Sequence, residues 1–163
     1  MKFQVTYKKR LRLRDFAYKG YYRYFVTICT INKKAILSDP VVIKQMIGFL
    51  RDLSKEHGFI VWAYCFMPDH LHLLLEGIDG NSDFLRFISM FKQKTGFWYK
   101  QRFALPLWQI NYYEHVLRCE MDTKEVTRYI FENPVRRGIV ECYLDYPFLG
   151  SFEFDINNIE KQP

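Results

Sequence analysis

Residues 59–76 carry two apolar runs on either side of Met67-Pro68-Asp69, and this arrangement fixes what the middle of the chain can fold into. Pro-Asp suits a tight connection, because proline presets its own φ and the aspartate side chain bonds the turn that it makes. Residues 59–66 and 70–76 are therefore the two strands of one antiparallel hairpin, with Asp69 mainly a turn former. Successive side chains on a strand point to opposite faces, so His70 and His72 share a face while Leu71 points into the core. Two imidazoles side by side can converge on one metal ion or one phosphate. The plainer reading is that they form the polar side of a half-exposed sheet.

The flanking segments extend the hairpin into a fold. Residues 22–30, YRYFVTICT, are β-branched and aromatic and read as a strand. Asp39 and Pro40 stand where an N-cap and a first helical residue belong, and Val42, Met46, Ile47, Leu50 and Leu53 repeat at helical spacing up to Gly58. Ser82 or Asp83 caps a second helix through Phe84, Phe87, Ile88 and Phe91 toward Tyr99, and residues 107–117 form a fourth strand. Asp122 or Thr123 opens a third helix through Val126, Tyr129 and Ile130 that closes near Asn133-Pro134. The order β-α-β-β-α-β, then an extra helix, predicts an α+β domain of the ferredoxin-like, split βαβ kind. Its sheet is expected to have four antiparallel strands, with helices packed on one face.

At 163 residues and 49% hydrophobic, the chain suits one domain that buries about two thirds of its unfolded surface. The expected organisation is a basic arm at 1–18, a core at 20–138 and an irregular extension at 139–163 docking through Tyr146-Pro147-Phe148. The arm carries Lys2, Lys8, Lys9, Arg10, Arg12 and Arg14. Net charge is +6, and 18% of residues are aromatic, a combination that suits a polyanion whose bases can stack, such as single-stranded nucleic acid. Arg86, Lys92, Lys94, Lys100, Arg102, Arg118, Arg136 and Arg137 are the candidate phosphate contacts. Cys29, Cys65, Cys119 and Cys142 lie far apart with no Cys-x-x-Cys pair, so buried free thiols in a reducing cytoplasm are expected. No apolar run approaches the length of a membrane span, and no membrane partner is expected.

Four ordered stretches carry a resemblance. The run Cys65-Phe66-Met67-Pro68-Asp69-His70-Leu71-His72-Leu73-Leu74-Leu75 resembles the His-hydrophobic-His signature of the HUH single-strand nucleases, in the version of single-tyrosine, IS200-like transposases. Tyr24-Phe25-Val26-Thr27, Trp108-Gln109 with Tyr113-Glu114-His115-Val116-Leu117-Arg118, and Tyr129-Ile130-Phe131-Glu132-Asn133-Pro134-Val135-Arg136 are similar to the REP-associated tyrosine transposases. The resemblance implies an RRM-related ferredoxin-like fold and cleavage of single-stranded or hairpin DNA by a tyrosine that becomes joined to the 5′ phosphate. It implies a divalent cation, Mg²⁺ or Mn²⁺, held by His70 and His72, with Asn133 as third ligand and Tyr129 as nucleophile. Monomer and homodimer both stay open.

The residues agree with that carry-over. A phosphodiester repels nucleophiles, so a catalyst needs a cation at the non-bridging oxygens and a positioned attacking oxygen. Tyr129 and Asn133 are four apart and share a helical face, and Pro134 sets Asn133 at a helix end or kink. Tyr112 and Tyr113, beside Glu114 and His115, are competing nucleophiles, but on a strand only one of them can face the histidines. Two other readings stay open: a nucleic-acid-binding module without catalysis, and a hydrolase that uses water.

Overall fold

The two long helices of the core start at acidic caps. In the computed structural model, which describes residues 13, 15–117 and 121–161, Asp39 precedes α1 (Pro40–Glu56) and its carboxylate accepts from the Val41 amide at 2.8 Å. Asp83 precedes α2 (Phe84–Phe103) and accepts from the Arg86 amide at 3.0 Å. Both satisfy amides that a first helical turn leaves without partners. The six basic residues named in the arm, together with Arg118 and Cys119, lie outside the described residues.

The strands are β1 (Arg23–Cys29), β2 (Phe59–Met67), β3 (His70–Gly77), β4 (Tyr113–Leu117) and β5 (Leu149–Gly150), in the order β4-β1-β3-β2-β5, every pairing antiparallel. The first four have the order expected of a split βαβ fold. The sheet has five strands rather than four because the C-terminal segment returns to the β2 edge. Phe66 donates to the Phe148 carbonyl at 2.8 Å, and the Tyr146 hydroxyl donates to the Phe66 carbonyl at 2.7 Å. β4 is shorter than residues 107–117. Lys92 Nζ takes the carbonyls of Gln109 and Ile110 at 2.8 and 2.6 Å, and Trp108 turns in to bond Thr95 on α2 at 2.8 Å.

Alternation divides the sheet into two layers. Tyr24, Val26, Ile28, Leu71, Leu73 and Leu75 pack on one face against Ile43, Met46 and Leu50 of α1 and Phe84, Phe87 and Phe91 of α2. Phe25, Leu74 and Leu117 face the other way, toward Val126, Ile130 and Phe131 of α3 (Met121–Phe131), which is followed by the short α4 (Asn133–Arg136). A bulge between Val61 and Ala63 changes the parity of β2. Val61 therefore faces α1 and α2, whereas Ala63, Cys65 and Met67 join the α3 layer.

Candidate active site

Register builds the histidine pair. Thr27 and Cys65 flank His72 on the neighbouring strands, and Cys29 and Met67 flank His70. Both imidazoles point to the α3 layer, His72 fully buried and His70 4% exposed. Their Nε2 atoms are 3.0 Å apart. Each outer nitrogen has its own partner: Asp69 Oδ1 lies 2.6 Å from His70 Nδ1, and Thr27 Oγ1 lies 2.9 Å from His72 Nδ1. Asp69 thus does more than turn the chain. Its other carboxylate oxygen is 3.6 Å from Arg137 Nη1. Burial lowers the pKa of His70 against the opposing bond and charge of Asp69, with Arg137 and Lys33 lowering it further. Burial, followed by the charges of His70 and Arg136, holds His72 well below the ordinary imidazole range. Both rings are neutral near pH 7, the form in which imidazole ligates a metal.

The tyrosine comes from α3. Tyr129 is half-buried, its ring centroid 6.1 Å from that of His72 and edge-on to Phe25 at 5.8 Å. α3 stops at Phe131, two residues before Asn133, which opens α4 with Pro134 behind it. Asn133 is 7% exposed, and its amide nitrogen donates to the carbonyls of Tyr129 at 3.1 Å and Ile130 at 3.4 Å. Those two bonds orient the amide, and Asn133 beside His72 works against the fall of its pKa that burial causes. Arg136 lies across the Tyr129 ring, its Cζ 4.1 Å from the centroid and Nη2 donating to the Tyr129 carbonyl at 2.6 Å. Burial raises the Tyr129 phenol pKa, and the charge and hydrogen bond of Arg136 oppose that rise. Of the competing tyrosines, Tyr113 faces this layer, 6.5 Å from Phe25, while Tyr112 turns to α2 and lies edge-on to Phe84 at 6.3 Å.

The basic candidates separate into two groups. Arg136 and Arg137 border the histidines and Tyr129. Arg86, Lys92, Lys94, Lys100 and Arg102 belong to α2, which packs on the opposite face of the sheet. Within that helix Lys92 is engaged by backbone carbonyls, and Lys94 pairs with Glu56 at 3.5 Å. Arg102 stacks beside Trp98 and Phe103, 5.9 Å from each centroid. Sequence reasoning missed Thr27, whose part depends on cross-strand register, and Lys33, whose charge reaches His70 through the tertiary fold.

Residues 18–133 match the family described as "Transposase IS200 like". That span covers more than half of the chain, and the chain belongs to this family. Among curated relatives it is 27% identical over 154 residues to a putative REP-associated tyrosine transposase of Haemophilus influenzae, spanning 88% of this chain and 85% of that one. It is 26% identical over 145 residues to the REP-associated tyrosine transposase of Escherichia coli K12, spanning 85% and 84%. A solved structure of a REP-associated tyrosine transposase bound to a REP hairpin shares the fold, with a TM-score of 0.71, 23% identity and coverage of 86% of this chain and 82% of that one. A putative transposase from Deinococcus radiodurans superposes with a TM-score of 0.52 at 22% identity, over 74% and 95%. No helix among the described residues is long and apolar enough to cross a membrane.

The residues fit the divalent cation that the resemblance implies. Two buried imidazoles with their Nε2 atoms 3.0 Å apart could both serve one ion. The described residues hold no cluster of three or more His, Cys, Asp or Glu, so a cation held here would rest on the two imidazoles and the Asn133 amide.

Proposed function

We propose that this transposase is an endonuclease and strand transferase for single-stranded, hairpin-bearing DNA of a mobile or repeated element. Tyr129 is the nucleophile, and His70, His72 and Asn133 hold a divalent cation. The observation that carries this reading is the convergence of a half-buried tyrosine, an arginine over its ring and two neutral imidazoles within one layer. The names of the relatives and the hairpin bound in the related structure support the choice of DNA. Work on such DNA belongs in the cytoplasm, where the free thiols Cys29, Cys65 and Cys142 stay reduced.

In the reaction the Tyr129 oxygen attacks phosphorus, and the bond from phosphorus to the 3′ oxygen breaks. The 5′ phosphate is left as an ester of Tyr129, and the departing 3′ oxygen takes up the proton. A 3′ hydroxyl that later attacks the ester frees the phenol and joins two strands without a nucleotide cofactor. The cation, when bound, draws charge from the non-bridging oxygens. Arg136 acts on the phenol itself: its guanidinium opposes the cost of forming a phenolate in a half-buried site. Arg136 and Arg137 also offer phosphate contacts.

End-labelled hairpin DNA with Mn²⁺ tests the reading on a denaturing gel. Wild type should give protein attached to a 5′ end, and chelation should stop cleavage while leaving hairpin binding within a few-fold. Binding without cleavage would favour a binding module. Cleavage without an adduct would favour a water-using hydrolase, and a DNA-linked peptide containing Tyr113 would reassign the nucleophile.

A further inference from the structure

We propose that Lys33 is a phosphate-binding residue of this site, holding the DNA strand at a phosphate next to the one that is cut. The inference deepens the reading above and rests on it for the choice of DNA.

The loop that follows β1 is placed by the turn that precedes His70. The Thr30 amide donates to the Asp69 carbonyl at 3.0 Å, and the Leu37 amide donates to the Pro68 carbonyl at 2.9 Å. Lys33 lies between these two ties, so the loop keeps it at the histidine end of β3. A third bond, from the Ile31 amide to the Leu107 carbonyl at 2.8 Å, holds the loop to the segment after α2. The backbone inside these ties is forced. Asn32 and Lys33 both have a φ of 51°, in the left-handed region that a side chain disfavours. Asparagine tolerates that region through its short polar side chain, and lysine has no such compensation. Conformations of this kind persist where the surroundings over-determine them, and they gather where a group has to be aimed.

The surroundings of Lys33 select an anion. Lys33 is exposed, and among the described residues it has no ion-pair partner. Residues 30–38 contain no acidic side chain. The charge of Lys33 reaches Cys29 and His70, and the charge of Arg137 reaches the same two groups. Two elements far apart in sequence thus bring cations to one end of the histidine pair. Asp69 meets Arg137 at 3.6 Å and is also taken by His70 at 2.6 Å, which leaves Lys33 without a neutralising carboxylate.

Position then says which phosphate it takes. Tyr129 and Arg136 lie beside His72, whereas Lys33 lies beside His70, two residues nearer the turn. A strand whose scissile phosphate meets Tyr129 therefore reaches Lys33 with a neighbouring phosphate. Such a contact fixes the register of the strand without reading its bases.

The test measures binding of the full chain to hairpin DNA with a single-stranded tail on each side, in the presence of a chelator so that no strand is cut. Lys33→Gln should weaken binding about two- to fivefold, the scale of an exposed ion pair, and should lower the magnitude of the log–log salt slope by about 0.7. Lys33→Arg should bind like wild type, and Lys34→Gln, one residue on in the same loop, should lose less than half as much. Tail phosphates are then replaced one at a time by uncharged methylphosphonate. At one position, wild type and Lys33→Gln should bind equally, because the partner of Lys33 has gone. Lys33→Gly suits the left-handed backbone and should lose the same binding with no drop in urea midpoint. Mn²⁺ affinity without DNA should not fall in Lys33→Gln. Unchanged binding in Lys33→Gln, an equal loss in Lys34→Gln, a difference that persists at every methylphosphonate position, a destabilised Lys33→Gly or a fall in Mn²⁺ affinity would each overturn the inference. Because the readout is binding, a wild type that binds but forms no adduct overturns the nucleophile reading alone, and a wild type that does not bind overturns both.

Discussion

The same two strands present opposite characters to their two faces. Toward α1 and α2, β1 and β3 show Tyr24, Val26, Ile28, Leu71, Leu73 and Leu75, all buried in one large apolar cluster. Toward α3 they show Arg23, Phe25, Thr27, Cys29, His70, His72, Leu74 and Glu76, and Arg23, Thr27, His70, His72 and Glu76 are polar. The polar side chains are satisfied in groups. Arg23 donates to Glu76 at 2.7 Å and to Thr123 at 2.8 Å, Trp62 donates to the same Glu76 oxygen at 2.6 Å, and the histidines bond each other, Asp69 and Thr27. Buried polar groups are costly unless they are bonded, so a layer built this way adds little stability of its own. The apolar layer holds the sheet rigid, and the polar layer uses that rigidity to fix chemical groups.

Substitutions in the two layers should separate these roles. The largest effect is expected from Tyr129→Phe, which removes one oxygen from the α3 layer. Adduct formation and cleavage should fall by more than about a thousandfold, the scale of losing a nucleophile, while the urea midpoint stays near that of wild type. Next comes Leu73→Ala, between the α3-facing His72 and Leu74 but directed at α1 and α2. It should destabilise the fold by about 2–5 kcal/mol, as for other leucines truncated in a close-packed core. Below its own unfolding transition this variant should still cut DNA at close to the wild-type rate. Comparable loss of cleavage in folded Leu73→Ala would break the division of labour between the faces.

An intermediate effect is expected where the polar layer anchors α3. Arg23→Met leaves the Glu76 carboxylate bonded to the Trp62 indole and Thr123 without the guanidinium. Hydrogen bonds to charged groups contribute about 1.5–3 kcal/mol, and a loss of that order should appear as a lower urea midpoint. Cleavage should slow as well, because the anchor sits at the start of the helix that carries Tyr129. A stability loss with unchanged cleavage would show that α3 is held well enough from its other end.

How much of this was legible in the sequence follows from the range of each interaction. The Met67-Pro68-Asp69 turn, the caps at Asp39 and Asp83, and the shared face of His70 and His72 are local, and the structure has them where periodicity puts them. β5 is two residues long and exists through its edge pairing with Tyr64 and Cys65, so no period announces it. The start of β4 is set by Lys92, distant in sequence, taking two carbonyls. At the site, the family resemblance directed attention to Tyr129 and Asn133, and the fold brings both against His72. Thr27 lies in the family-like stretch Tyr24-Phe25-Val26-Thr27, but its contact with His72 follows only from cross-strand register. The charge of the α2 basic residues is visible in sequence, whereas their place across the sheet from the histidines is not.

The smallest effect, and the one that probes the polar layer without touching a residue, is its response to acid. An unperturbed imidazole titrates near 6.5, and both His70 and His72 are held below that value in the folded chain, chiefly by burial. As the pH falls below 6.5 the unfolded chain takes up protons that the folded chain refuses, so stability declines. The contribution of the pair is complete above 6.5 and is lost as the pH falls through the lowered folded values, at no more than about 1.4 kcal/mol per pH unit for each ring. Asp69 acts in a separate window. Burial would raise its pKa, but the His70 bond and nearby positive charge win and lower it from 3.8, so its share is lost only below that pH. Urea midpoints measured from pH 7.5 to 5 should therefore fall in wild type and fall less steeply in His72→Gln. Leu73→Ala should start lower and keep the wild-type slope, because its defect lies in the layer that does not titrate. A flat wild-type profile would mean that the histidines are hydrated and easily charged, and an equal flattening in Leu73→Ala would mean that the two layers do not act separately.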